Sequence, residues 1–126
     1  MSLKDDLYYF AHPLSSKNPD GSINEKGQEE NFRLSCIRTA ELLKRGYNVF
    51  SPIPHSYQIS LLHDLGYGWY TLDNLIIAKT DFKGIILAPN WETSAGCVAE
   101  RKLFLERNLE ILLYEDVVKE QLSLPF

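Results

Sequence analysis

The stretch Asp81-Phe-Lys-Gly84-Ile-Ile-Leu-Ala88-Pro89-Asn-Trp91-Glu92-Thr93-Ser94-Ala-Gly96-Cys97-Val-Ala-Glu100 reads as a buried strand, a short loop and the first turns of a helix. Gly84 to Ala88 is an apolar run bounded by Gly and Pro, the pattern of a parallel strand covered on both faces. Thr93 or Ser94 offers a hydroxyl oxygen to the N–H groups that a helix start leaves unpaired, and Gly96 permits close approach of a backbone or ligand. Glu100 follows on the face shared with Cys97, Leu103 and Phe104, so its carboxylate points along an apolar stripe. An acid there is either a structural group paired with a cation or loop N–H groups, or one held in the cleft at the carboxyl ends of the strands, where open α/β sheets bind ligands.

Working outward, Leu7 to Ala11 is an aromatic and apolar strand ending at His12-Pro13, followed by a polar loop from Leu14 to Ser22. Ser15 and Ser16 suit contact with a phosphate or sugar hydroxyl and suit turn chemistry equally. From about Ile23 to Arg45 the period is helical, with Phe32, Cys36, Ala40 and Leu43 on one stripe and Arg38 among the charges off it. Asn31 near its start reads as a solvated helix position. Arg45-Gly46 ends the helix with a cation and a glycine. Tyr47 to Ser51 is a second strand, so strand, helix and strand form a right-handed crossover.

Pro52 to Gly68 is the least regular stretch, containing Pro54, His55, Tyr57, His63, Asp64 and Gly66, and it reads as a cleft wall or lid. No Cys, Asp or Glu stands at ligand spacing near His55 or His63, so no metal site is expected. Trp69 to Ala78 is helical, with Trp69, Leu72, Leu75 and Ile76 as its stripe. Asp73, four residues after Trp69, either shares the Trp69 side or faces solvent. The Glu100 helix runs to about Asn108. Glu110 to Tyr114 is the fourth strand and Asp116 to Leu122 a last short helix, while Leu124-Pro-Phe126 docks on the core or on a partner. The expected fold is a single α/β domain over 1–126: a three-layer, Rossmann- or flavodoxin-like open parallel sheet of four to five strands, order about 2-1-3-4, with helices on both faces.

Composition bounds the function. A chain of 126 residues, 44% hydrophobic and 24% charged, suits one globular domain. The formal net charge of −4 argues against a polymer nucleic-acid surface. Cys36 and Cys97 form neither a metal spacing nor a disulfide framework and read as thiols in a reducing cytoplasm. No apolar run is long enough for a membrane span, and no signal peptide is evident.

Ser94-Ala-Gly96-Cys-Val-Ala-Glu100, with Asp81 upstream and Tyr9-Phe-Ala-His12-Pro13 near the amino end, resembles the nucleoside 2-deoxyribosyltransferase superfamily, which includes deoxynucleoside 5′-monophosphate N-glycosidases. The resemblance covers about Leu7 to Tyr114. It implies that Glu100 is the nucleophile toward the anomeric carbon, that Asp81 helps protonate or orient the base, and that Tyr9 positions the nucleophile. Asp73 and Glu92 compete with Asp81 for the acid's role, because an acid at the amino end of a strand lies far from the carboxyl rim. Ser94, Gly96, His12, Asp73, Trp91 and Ser15 form the implied substrate-binding set, with Ser94 facing a 5′-phosphate. Ser94-Ala-Gly96 is nearer the monophosphate hydrolases than the Asp-x-Gly of many transferases, and Glu100-Arg101-Lys102 departs from the family's Glu-x-Gly. The resemblance further implies a small-molecule nucleoside or nucleotide ligand, no cofactor and a homodimer or homotetramer. The competing expectation is a non-catalytic nucleotide or nucleotide-sugar binding module on the same scaffold.

Overall fold

The computed structural model describes residues 5–63 and 68–119. In chain order they form β1 (Leu7–Ala11), α1 (Glu25–Lys44), β2 (Asn48–Phe50), α2 (Pro52–Leu62), α3 (Gly68–Lys79), β3 (Gly84–Leu87), a 3-10 turn (Trp91–Thr93), α4 (Ala95–Glu106), β4 (Glu110–Leu113) and α5 (Tyr114–Lys119). All strands run parallel in the order β2-β1-β3-β4. This is the expected three-layer, Rossmann-like sheet, four-stranded among the described residues. Asp64, Gly66 and the docking segment Leu124–Phe126 lie outside them.

Alternation along the central strands builds two cores. Tyr9, Ala11, Ile85 and Leu87 face α3 and α4, packing on Ile77, Cys97 and Phe104. Tyr8, Phe10, Ile86 and Ala88 face the other way, onto Leu42 of α1 and Val117 of α5. Gly84 is required by sheet packing, because a Cβ there would sit 2.5 Å from the Glu110 carbonyl oxygen on β4. Backbone cannot yield as a side-chain tip does, so Gly84→Ala is expected to destabilise the fold by about 1–3 kcal/mol, as overpacking does. A chemical denaturation midpoint matching the parent's would show that the two strands do not approach this closely.

The helices depart from the sequence reading in instructive ways. The segment expected to be irregular after β2 forms α2, because Pro52 and Pro54 fall in the first turn, where no intrahelical N–H is needed. Tyr57 of α2 stacks on Phe32 of α1 with ring centroids 4.7 Å apart. On α1 the inward face is not the expected stripe, since Leu43 is half exposed while Ser35 and Leu42 are fully buried. That face also carries half-buried Arg38 and Thr39. Ser35 Oγ donates to the Phe32 carbonyl and Thr39 Oγ1 to the Ser35 carbonyl, so these hydroxyls are satisfied locally and apolar periodicity misplaces the phase.

On α3, Leu72 and Leu75 are exposed and Ile77 is buried, which turns Asp73 inward. Helix α5 starts at Tyr114, two residues before the expected point, with Glu115 and Asp116 in the first turn where a helix favours negative charge. No helix among the described residues is long and apolar enough to cross a membrane.

Candidate active site

Sheet order reverses between β1 and β3, and the loops leaving their carboxyl ends part there to open a crevice. A cavity of about 340 Å³ lies at this rim, lined by residues of the β1 loop, the starts of α2, α3 and α4, and Glu100. The lining includes His12, Ser15, Asp73, Ser94, Gly96 and Glu100, so six of the sequence-predicted residues converge there.

Helix α4 sets the position of Glu100. Ser94 caps it, its Oγ accepting from the Cys97 N–H at 3.2 Å, and Cys97 and Phe104 anchor the helix in the core. Glu100, between these anchors, is directed back toward β1. There the Tyr9 hydroxyl, rising from the middle of the central strand, donates to Glu100 Oε2. Tyr9 is fully buried and does not line the cavity, so it reaches the site only through this carboxylate. Burial and the adjacent Glu100 push its phenol far above the ordinary range, which keeps it a proton donor in the hydrogen bond.

Burial raises Glu100 to about 7, the Tyr9 hydrogen bond pulling against it and the Asp73 charge adding to it. Burial likewise raises Asp73 to about 6, opposed by the charge of His55. Two carboxyls in one cavity therefore exchange protons near neutrality. The third group with nucleophilic chemistry, Cys97, is held inert: burial raises its thiol to about 12. His12 is buried and neutral, with burial lowering it to about 4. Its Nδ1–H donates to the Pro13 carbonyl at 2.8 Å, which leaves Nε2 to accept from Arg38 at 2.9 Å.

Three predicted residues stand elsewhere. Asp81 is exposed at the amino end of β3, on the opposite rim from the cavity, because the strand direction carries it away. Glu92 is exposed on the 3-10 turn. Trp91, on the same turn, packs against the core with the Arg101 guanidinium 5.4 Å above its ring. The lining also contains residues the sequence reading did not single out as contacts, among them Leu14, Ile53 and Tyr70. Trp69, read as part of the apolar stripe of its helix, lines the cavity too, and its indole Nε1 is buried without an acceptor among the described residues. A smaller, more apolar recess of about 130 Å³ extends from the cavity between Leu14, Pro52, Ile53, Tyr57, Trp69 and Asp73. For Leu14 and Ile53 the signal was their place just after a strand end, whereas Trp69 and Tyr70 lie on α3, where the helical period alone did not mark them as contacts.

No protein-family profile matches the chain, and no curated protein matches it.

Proposed function

We propose that this protein cleaves or transfers the N-glycosidic bond of a (deoxy)nucleoside or nucleoside 5′-monophosphate, with Glu100 as nucleophile and Asp73 as acid. The observation that carries the reading is the Tyr9–Glu100 hydrogen bond at the edge of a cleft that also holds Asp73, with both carboxyls titrating near neutrality. Breaking such a bond passes through an oxocarbenium-like transition state, which needs a carboxylate beside the anomeric carbon and a proton for the departing base. The cavity volume falls within the roughly 300–1,000 Å³ typical of small-molecule clefts.

In the first step Glu100 attacks C1′, the C1′–N bond breaks, and its electron pair leaves with the base as that nitrogen takes the Asp73 proton. In the second, water or an acceptor base gives its proton to the Asp73 carboxylate and attacks C1′, and Glu100 departs as the free carboxylate. The Tyr9 hydrogen bond opposes burial at Glu100 and favours the charged form that the attack requires. The flat base fits the apolar recess beside Trp69 and Tyr57, where stacking on an aromatic face contributes about 1–3 kcal/mol. At Gly96 a Cβ would meet only Ser94 Oγ, at 3.8 Å, so protein packing does not demand a glycine there, and its absence of a side chain leaves the helix start open to a ligand. On the same reading the protein assembles as a homodimer or homotetramer and needs no cofactor.

The test is a panel of nucleosides and nucleoside monophosphates, with and without an acceptor base, read by chromatography for freed or exchanged base. Ligand binding without base release from any member would replace this reading with that of a nucleotide-binding module. The pH profile of kcat/KM is a further expectation. It should rise as the pair loses its first proton and fall as it loses its second, giving a narrow optimum between about 6 and about 7. A profile flat through neutrality would show that the two carboxyls do not share the work.

A further inference from the structure

The carboxyl rim carries a second cavity, of about 330 Å³, which shares His12 and Ser15 with the Glu100 cleft and is otherwise lined by residues such as Asn31, Arg38, Asn90 and Thr93. Its chemistry is opposite to that of its neighbour. Asp73 and Glu100 line the first cavity, whereas the second has a guanidinium and, among the described residues, no carboxylate.

Arg38 forms no ion pair among the described residues. It lies on the inward face of α1, half-buried, with its guanidinium 5.9 Å from the Tyr114 ring centroid and one N–H given to His12 Nε2. Because the His12 proton sits on Nδ1 and is held by the Pro13 carbonyl, the ring fixes Arg38 in place without cancelling its charge. A guanidinium has five donors in a planar fork that matches oxyanions, and among the described residues one is taken up by a protein acceptor. The surrounding Ser15, Asn90 and Thr93 add short polar side chains, while the Asn31 amide is tied to the Leu14 carbonyl at 2.9 Å and steadies the loop carrying Ser15.

We propose that the Arg38 cavity is a phosphate subsite, separate from the Ser94 helix start, which takes the phosphoryl group of a ligand whose remainder lies in the Glu100 cleft. Negative charge on the Glu100–Asp73 pair repels a dianion from the cleft, and the cation across His12 attracts it. The identity of the ligand's remainder rests on the nucleotide reading; the oxyanion site does not.

Inorganic phosphate, titrated into the full chain by calorimetry, is the probe. Arg38→Met is expected to weaken phosphate at least about tenfold, as loss of a charge-assisted hydrogen bond does, with Arg38→Lys falling between it and the parent. Thr93→Glu, at an exposed position, brings a carboxylate into the cavity and should weaken phosphate similarly without depending on how Arg38→Met folds. Ser94→Ala should still bind phosphate, because the helix start that Ser94 caps lines the other cavity. Phosphate binding unaltered in both Arg38→Met and Thr93→Glu, or lost in Ser94→Ala alone, would overturn the assignment. Because none of this reads turnover, a chain that binds phosphate through Arg38 but releases no base keeps the subsite and loses only the glycosidic reading.

Discussion

Glu100→Gln is expected to lower base release at least about a hundredfold while ligand still binds, the scale of losing a covalent catalyst. The amide keeps the shape of the side chain, continues to accept from Tyr9 and still lines the cavity, but it offers no carboxylate to the anomeric carbon. Stability provides the control. The folded carboxyl titrates at about 7 against an ordinary 4.5, so the cost of burying its charge is absent below about 4.5, accumulates as pH rises and is complete above about 7. The glutamine variant should therefore melt higher than the parent at pH above 7 and similarly at pH near 4, as read by thermal denaturation. Parental turnover in this variant would remove Glu100 from the reaction.

Phe104→Ala is expected to cost about 3–5 kcal/mol, a large share of the roughly 5–15 kcal/mol that holds a domain folded. Phe104 is fully buried, and its ring centroid lies 5.8 Å from those of both Tyr9 and Phe82. Tyr9 and Phe82 meet edge to face at 5.6 Å, so the three rings close a triangle beneath Glu100. Truncation opens a cavity in that triangle and frees the phenol that donates to the carboxylate. Urea denaturation measures the loss, and activity well below the melting point should fall as well. A cost under about 1 kcal/mol, that of an ordinary exposed change, would mean that the cluster does not bear on α4.

Much of this architecture was legible in the residues. Short apolar runs between Gly and Pro locate the strands, and their order follows from one crossover on each side of β1. Ser94 and the Glu100 face were readable because a cap and a helical period are local signals. What failed was whatever depends on direction or tertiary partners. Asp81 adjoins β3 in sequence, but adjacency does not give the rim. Pro52 and Pro54 read as breakers, although the first turn of a helix accepts them. Arg38 read as a solvent charge because apolar periodicity put the α1 stripe one residue out of phase; its partner His12 lies 26 positions away. Asp73 was ambiguous for the same reason, since Leu72 and Leu75 drew the stripe of α3 away from its true inward side.

Tyr9 belongs to the set of β1 side chains that faces α4, while Tyr8 and Phe10 belong to the layer of α1 and α5. Inserting or deleting one residue in the amino-terminal half of β1 would exchange the two sets. Tyrosine and phenylalanine fill similar volumes, so the sheet could survive the slip. The phenol, however, would emerge on the far side of the sheet and leave Glu100 without its donor. In this molecule the parity of a five-residue strand decides whether a phenol meets the Glu100 carboxylate or only fills a hydrophobic interior.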